Sequence, residues 1–411
     1  MTAVKNKDTE LLIPQKSERN MGVELFRIVS MLLVILLHIM GHGGVLGQTS
    51  RLSENYKIGW FLETLGYCSV NCYAIISGFA NVKTKFKFRR FVHLWVETVV
   101  MILSITAIVH FFVPSVEVPG EWWLYAVLPL TKRELWYFCA YFFMYPLLPI
   151  LNKGLLSLSR WQHILIIVWL QVPTIFKLIQ HKDNYVLSSG YSAIWLICLY
   201  VLGAYFRIYG PPKWGKWFVT LPTFFIAAFV AWYKKIYIEM QLAERLIEKE
   251  SITYEYRDDL ISYVSPCMVI MATMLLIFFM QVKIRFKPTK VIIGNLAKTT
   301  WGVFVLHVCS AGWYWDKLWD IFKVYGKYTP GKMVLSVFLA VIVFFLVGAA
   351  VTLCKIYLFK LLRVDKGIEY LADIPGRIAA NREEKKRQKE IEKQLQKEKY
   401  IKTFGKKRRR R

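Results

Sequence analysis

Ten times along this sequence, apolar residues run for about 17–25 positions, the length that crosses a bilayer as a helix. The runs lie near 22–41, 58–80, 91–113, 135–151, 161–178, 191–209, 214–233, 260–282, 291–313 and 332–361. In hydrocarbon every backbone N–H and C=O must be satisfied within the segment, so such runs fold as helices. The length of 411 residues would otherwise allow about two or three soluble domains, but a 55% hydrophobic composition distributed in these runs excludes that. The expected fold class is all-α, a polytopic membrane protein with about ten transmembrane helices. Tyr145-Pro146-Leu147-Leu148-Pro149 should kink or end the fourth helix, and Gly302 with Gly312 should loosen the ninth.

Loop charge orients the chain. With the N-terminus inside, the cytoplasmic loops hold Lys83, Lys85, Lys87, Arg89 and Arg90, then Lys153 and Arg160, then Arg207, Lys213 and Lys216, then Lys283, Arg285, Lys287 and Lys290. None of these loops contains an Asp or Glu, whereas the long opposite loop, 234–259, mixes five basic with seven acidic residues. That alternation follows the positive-inside rule and places both termini in the cytoplasm of a cell-membrane protein. The 234–259 loop has helical potential and is expected on the outer surface. Residues 1–20 form a charged lead, 21–362 the membrane domain and 363–411 a basic, helical or disordered tail. The tail holds 16 Lys/Arg against five Asp/Glu over 377–411. Its expected partner is the anionic lipid of the inner leaflet. Nothing else in the chain supports nucleic acid as a partner, although the net charge is +27. The seven cysteines lie in apolar spans without a CxxC pair and read as small buried hydrophobes.

Ionisable residues inside spans mark functional sites by default, because each costs several kcal/mol unless paired or hydrated. The first span carries Glu24, Arg27 and His38. Arg27 and His38 are eleven residues apart, so they share a helix face within about 20° and are separated axially by about 16 Å. Glu24 lies one turn before Arg27 on the same stripe. Gly41-His42-Gly43-Gly44 then forms a loop where backbone can approach a ligand closely. In the third span Arg90, His93 and Glu97 fall on one face, and Glu97 needs Arg90, His93 or Arg27 as a partner. Paired guanidiniums at Arg89 and Arg90 suit the phosphates of an anionic ligand. Ser69, Asn71, Ser77 and Gly78 read as a helix-packing face. Trp122, Trp123, Trp136 and Tyr137 fit an interfacial aromatic belt, with a sugar-lining role as the alternative. His307 sits at a depth similar to His38. No metal is expected: His38 and His42 are four apart, but no HExxH accompanies them.

Glu24-Leu25-Phe26-Arg27, ten intervening residues and His38 resemble the signature of the integral-membrane acyltransferase 3 family. Ile76-Ser77-Gly78-Phe79, the basic turn at Arg89-Arg90, Leu135-Trp136-Tyr137-Phe138, Tyr145-Pro146 through Asn152, and Trp301-Gly302 through His307 are similar to further landmarks of that family in the same order. The resemblance covers roughly residues 20–362, with one departure: His93 stands where the family often repeats arginine, and the following proline is absent.

The resemblance implies transfer of an acyl group, most simply acetyl, from cytoplasmic acyl-CoA to a hydroxyl of a cell-surface glycan, with no permanently bound cofactor. It implies His38 as general base or acyl relay, with Glu24 and His307 as further catalytic candidates. Arg27, Arg89, Arg90, His93 and Glu97 become donor-binding candidates, and His42, Ser77, Trp136 and Tyr137 become acceptor-side or packing residues. An exporter of a polysaccharide or its precursor is the alternative. The halves of the chain nevertheless lack the paired broken helices that transporter repeats often show.

Overall fold

A computed structural model describes residues 19–114, 116–131, 135–180, 185–247, 260–309 and 316–408. Most of the N-terminal lead, residues 248–259 of the long loop, Gly312 and the final three arginines lie outside the described residues. Every regular element among the described residues is helical.

In chain order the helices are α1 (Met21–Met40), α2 (Glu54–Tyr67), α3 (Ser69–Asn81), α4 (Phe88–Phe112), α5 (Gly120–Val127), α6 (Trp136–Met144), α7 (Leu148–Ser157) and α8 (Arg160–Gln180). There follow α9 (Ala193–Tyr209), α10 (Trp217–Ile247), α11 (Pro266–Gln281), α12 (Lys287–Val308), α13 (Asp316–Lys323), α14 (Pro330–Leu361) and α15 (Val364–Arg408). Among the described residues, seven of the ten expected spans are helices or helix pairs long and apolar enough to cross a membrane. The second is broken into α2 and α3 at Cys68, while α9 and α11 are apolar but shorter. The Tyr145-Pro146 stretch ends α6 in a 3-10 turn before α7, as a residue lacking a backbone N–H should.

Local chemistry starts these helices where it should. The Asn20 side chain accepts from Gly22 N at 3.0 Å and Val23 N at 3.2 Å, capping α1, and its amide donates to Met280 O. Ser53 caps α2, Ser192 caps α9, and Ser265 with Pro266 opens α11.

Two compact units emerge, residues 1–86 with 98–353, and residues 87–97 with 354–411. In the first unit α1 packs against α2, α3, α11 and α12. Its inner positions Met31, Ile35 and Ile39 join Val303, Val337 and Phe345 in the core. The packing face expected in α3 meets α9. A Cβ on Gly78 would collide with the Tyr200 carbonyl, and one on Gly203 with the Ile75 carbonyl, so backbones touch at that crossing.

The stretch 234–247 is not a separate surface loop but the continuation of α10. Two of its charges are deeply buried: Lys235 is 2% exposed and Glu239 1%. Glu239 pairs with Lys235 at 3.1 Å and accepts from Arg51 Nε at 2.6 Å, while the Lys235 ammonium lies 4.0 Å from the centroid of the Trp60 ring. Arg51 precedes α2, and Trp60 lies within it, so the network clamps α10 to α2. Removing one partner of such a group leaves an uncompensated charge and costs about 3–5 kcal/mol. Glu239→Ala should therefore lower stability by about that much in detergent-monitored thermal unfolding, with Lys235→Met added restoring part of it. An unchanged melting temperature in the single variant would show that the network carries no stability.

In the second unit the start of α4 meets α15 and the end of α14. Arg89 pairs with Glu369, and His93 approaches Asp365 at 3.5 Å and Glu97 at 3.6 Å. Glu97 finds its cation in Lys355, a partner about 260 residues away that helical spacing could not reveal. Arg90 is exposed.

Candidate active site

A cavity of about 510 Å³ opens at the C-terminal end of α1. α1 brings Leu37, His38, Gly41 and His42 to it, because positions 37, 38, 41 and 42 form one stripe of helix and its first turn beyond. α2 contributes Glu63 and Tyr67, α6 contributes Trp136, α12 ends there in Val308, and Tyr191 and Tyr263 come from the segments preceding α9 and α11.

The imidazoles converge. The His38 ring centroid is 5.2 Å from His42 and 4.9 Å from His307. His307 does not line the cavity; it stands behind His38, boxed by Phe304, Trp319 and Phe344. Its Nδ1 lies 2.6 Å from the Val303 carbonyl. A carbonyl oxygen only accepts, so Nδ1 carries the proton and Nε2 presents a lone pair. Among the described residues no group satisfies that Nε2. His307 is therefore a fixed base next to His38, able to orient it or take a proton from it.

Aromatic rings build the opposite wall. Trp136 lies 4.6 Å from Tyr191 and 5.8 Å from Tyr263, and Tyr263 is 5.1 Å from Tyr191 and 5.4 Å from Tyr67. Trp136 thus lines the cavity instead of serving only as a belt residue. Asn71 on α3 holds this wall by donating to the Tyr263 carbonyl at 2.7 Å while accepting from Trp195 Nε1 at 3.1 Å.

Glu24 and Arg27 are together at the other end of α1, paired at 3.1 Å, about 16 Å along the axis from His38. Neither lines the cavity. Rings nevertheless connect the two ends: Tyr73 donates to the Arg27 carbonyl at 2.9 Å, and Tyr73, Tyr137, Phe304 and His307 follow one another at 6.1–6.3 Å. Tyr137 belongs to this series, and Ser77 lies beside it. Arg89, Arg90, His93 and Glu97 belong to the second unit described above. Glu63, Tyr67, Tyr191 and Tyr263 were missed by the sequence reading. Glu63 carried a usable signal, a carboxylate inside an apolar run; the tyrosines carried none. Among the described residues no group of His, Cys, Asp and Glu is arranged to hold a metal ion.

No curated protein and no solved structure matches this chain. A family profile described as an acyltransferase domain matches residues 20–357, most of the sequence and all of the elements that build the cavity. With a signature arginine and histidine on one helix and a histidine-lined cavity at its end, the chain belongs to the acyltransferase 3 family of multi-pass membrane acyltransferases.

Proposed function

We propose that this protein transfers an acetyl or other short acyl group from cytoplasmic acyl-CoA to a hydroxyl of an extracytoplasmic cell-envelope glycan. The observation that carries the reading is the meeting of His38 and His42, with His307 behind His38, at an aromatic-walled cavity in a chain of this family. Imidazole, with an ordinary pKa near 6.5, suits removal of a proton from an attacking hydroxyl. His38 takes that proton, the oxygen attacks the thioester carbonyl, the carbon–sulfur bond breaks, and the proton passes to the departing CoA thiolate. His307 packs edge-on against the His38 ring from behind. The aromatic wall offers faces on which sugar rings stack.

Arg27 supplies a cationic group for the phosphates of the donor. Arg27→Ala should raise the KM for acyl-CoA about ten- to a hundredfold, the loss of one charge-assisted contact, with a smaller change in kcat. Unchanged dependence on acyl-CoA concentration would remove Arg27 from the donor site. The function is tested by mass spectrometry of surface glycans from a deletion strain and its parent. A lost ester is expected; identical glycan masses with impaired export would replace this reading by a transporter.

A further inference from the structure

Among the described residues Glu63 is the one carboxylate lining the cavity, and no Lys or Arg lines it. It is 7% exposed, and its Oε2 has no hydrogen-bond partner among the described residues. Its other oxygen sits against the turn that joins His38 to His42: a Cβ on Gly41 would lie 3.5 Å from Oε1. A buried carboxylate is costly unless something pairs with it. The neighbouring wall of Tyr67, Trp136, Tyr191 and Tyr263 is a set of contiguous rings whose faces attract cations. A neutral sugar would stack on these rings but would leave the carboxylate without a counter-charge.

We propose that Glu63 and this aromatic wall form a subsite for a positively charged amine on the acceptor, beside the hydroxyl that His38 serves. The inference rests on the acyltransferase reading in taking this cavity as the acceptor side, and it narrows the acceptor to a glycan bearing a free amino or quaternary ammonium group. Glu63 pairs with the ammonium, the rings surround its apolar flank, and the sugar is thereby held with one hydroxyl toward His38. Glu63 acts in binding and specificity and takes no part in bond-making.

The test measures binding without acyl donor, using the full chain in lipid nanodiscs. The probes are two pairs that differ in charge and little else: a β-linked glucosamine tetrasaccharide against the glucose tetrasaccharide, and choline against its carbon isostere dimethylbutanol. Wild type should bind at least one cationic member about tenfold or more tighter than its neutral counterpart. Glu63→Gln removes a buried charge without changing shape, so it should unfold at or above the wild-type temperature and lose that preference. Glu63→Asp should retain part of it, and His38→Ala all of it. Equal binding within both pairs, no binding of either cation, or a preference that survives in Glu63→Gln would overturn the proposal. Because no acyl donor is present, a Glu63-dependent preference in a protein that transfers no acyl group would sink the acyltransferase reading while leaving this subsite standing.

Discussion

His38→Ala should reduce acyl transfer by about a hundred- to ten-thousandfold, the range lost when a positioned general base is removed. The side chain lines the cavity and lies beside two other imidazoles, and it is the one the signature pairs with Arg27 on α1. His42 lies in the turn beyond the helix, and His307 is set behind the cavity wall with its Nδ1–H committed to Val303. His307→Gln should cost less than His38→Ala, because the amide still packs behind the ring of His38 but cannot accept its proton. Folding should be intact in His38→Ala, because His38 is only partly buried and lies at the edge of the core, so its effect separates from stability. The check is ester formation on the glycan, followed with labelled acyl-CoA in membranes, beside thermal unfolding of the purified protein. Near-wild-type transfer by His38→Ala would remove the imidazole from the chemistry.

Gly203→Leu should be the most damaging single substitution to the fold. At the α3–α9 crossing the obstacle to a side chain is backbone, the Ile75 carbonyl, which cannot rotate away as a side chain could. The helices must separate, and the reciprocal contact of Gly78 with Tyr200 is lost with them. The expected cost is about 3 kcal/mol or more, the upper end of overpacking effects. The damage should reach the active site as well, because α3 carries the Asn71 that anchors the Tyr263 backbone in the cavity wall. Gly154→Ala in α7 is the control: nothing lies within 4 Å of a Cβ there, and helix propensity predicts a gain of up to about 1 kcal/mol. Thermal unfolding in detergent compares the two; a Gly203→Leu protein that melts with wild type would show that the crossing is not tight.

Helix class, the positions of the apolar segments and the kink at Pro146 could be read from the sequence, because each depends on composition and local backbone chemistry. The same holds for the shared edge of Arg27 and His38, which follows from helical periodicity alone. Sequence spacing reports which face a residue occupies and at what depth, and nothing about which helix lies across from it. That choice is made by packing between segments far apart in the chain. It gave Glu97 to Lys355, drew Lys235 and Glu239 out of an expected loop into a buried clamp, and turned Trp136 toward a cavity. It also set Glu63 and three tyrosines from separate segments around His38, because only the folded bundle brings α2, α6 and the approaches to α9 and α11 to the end of α1.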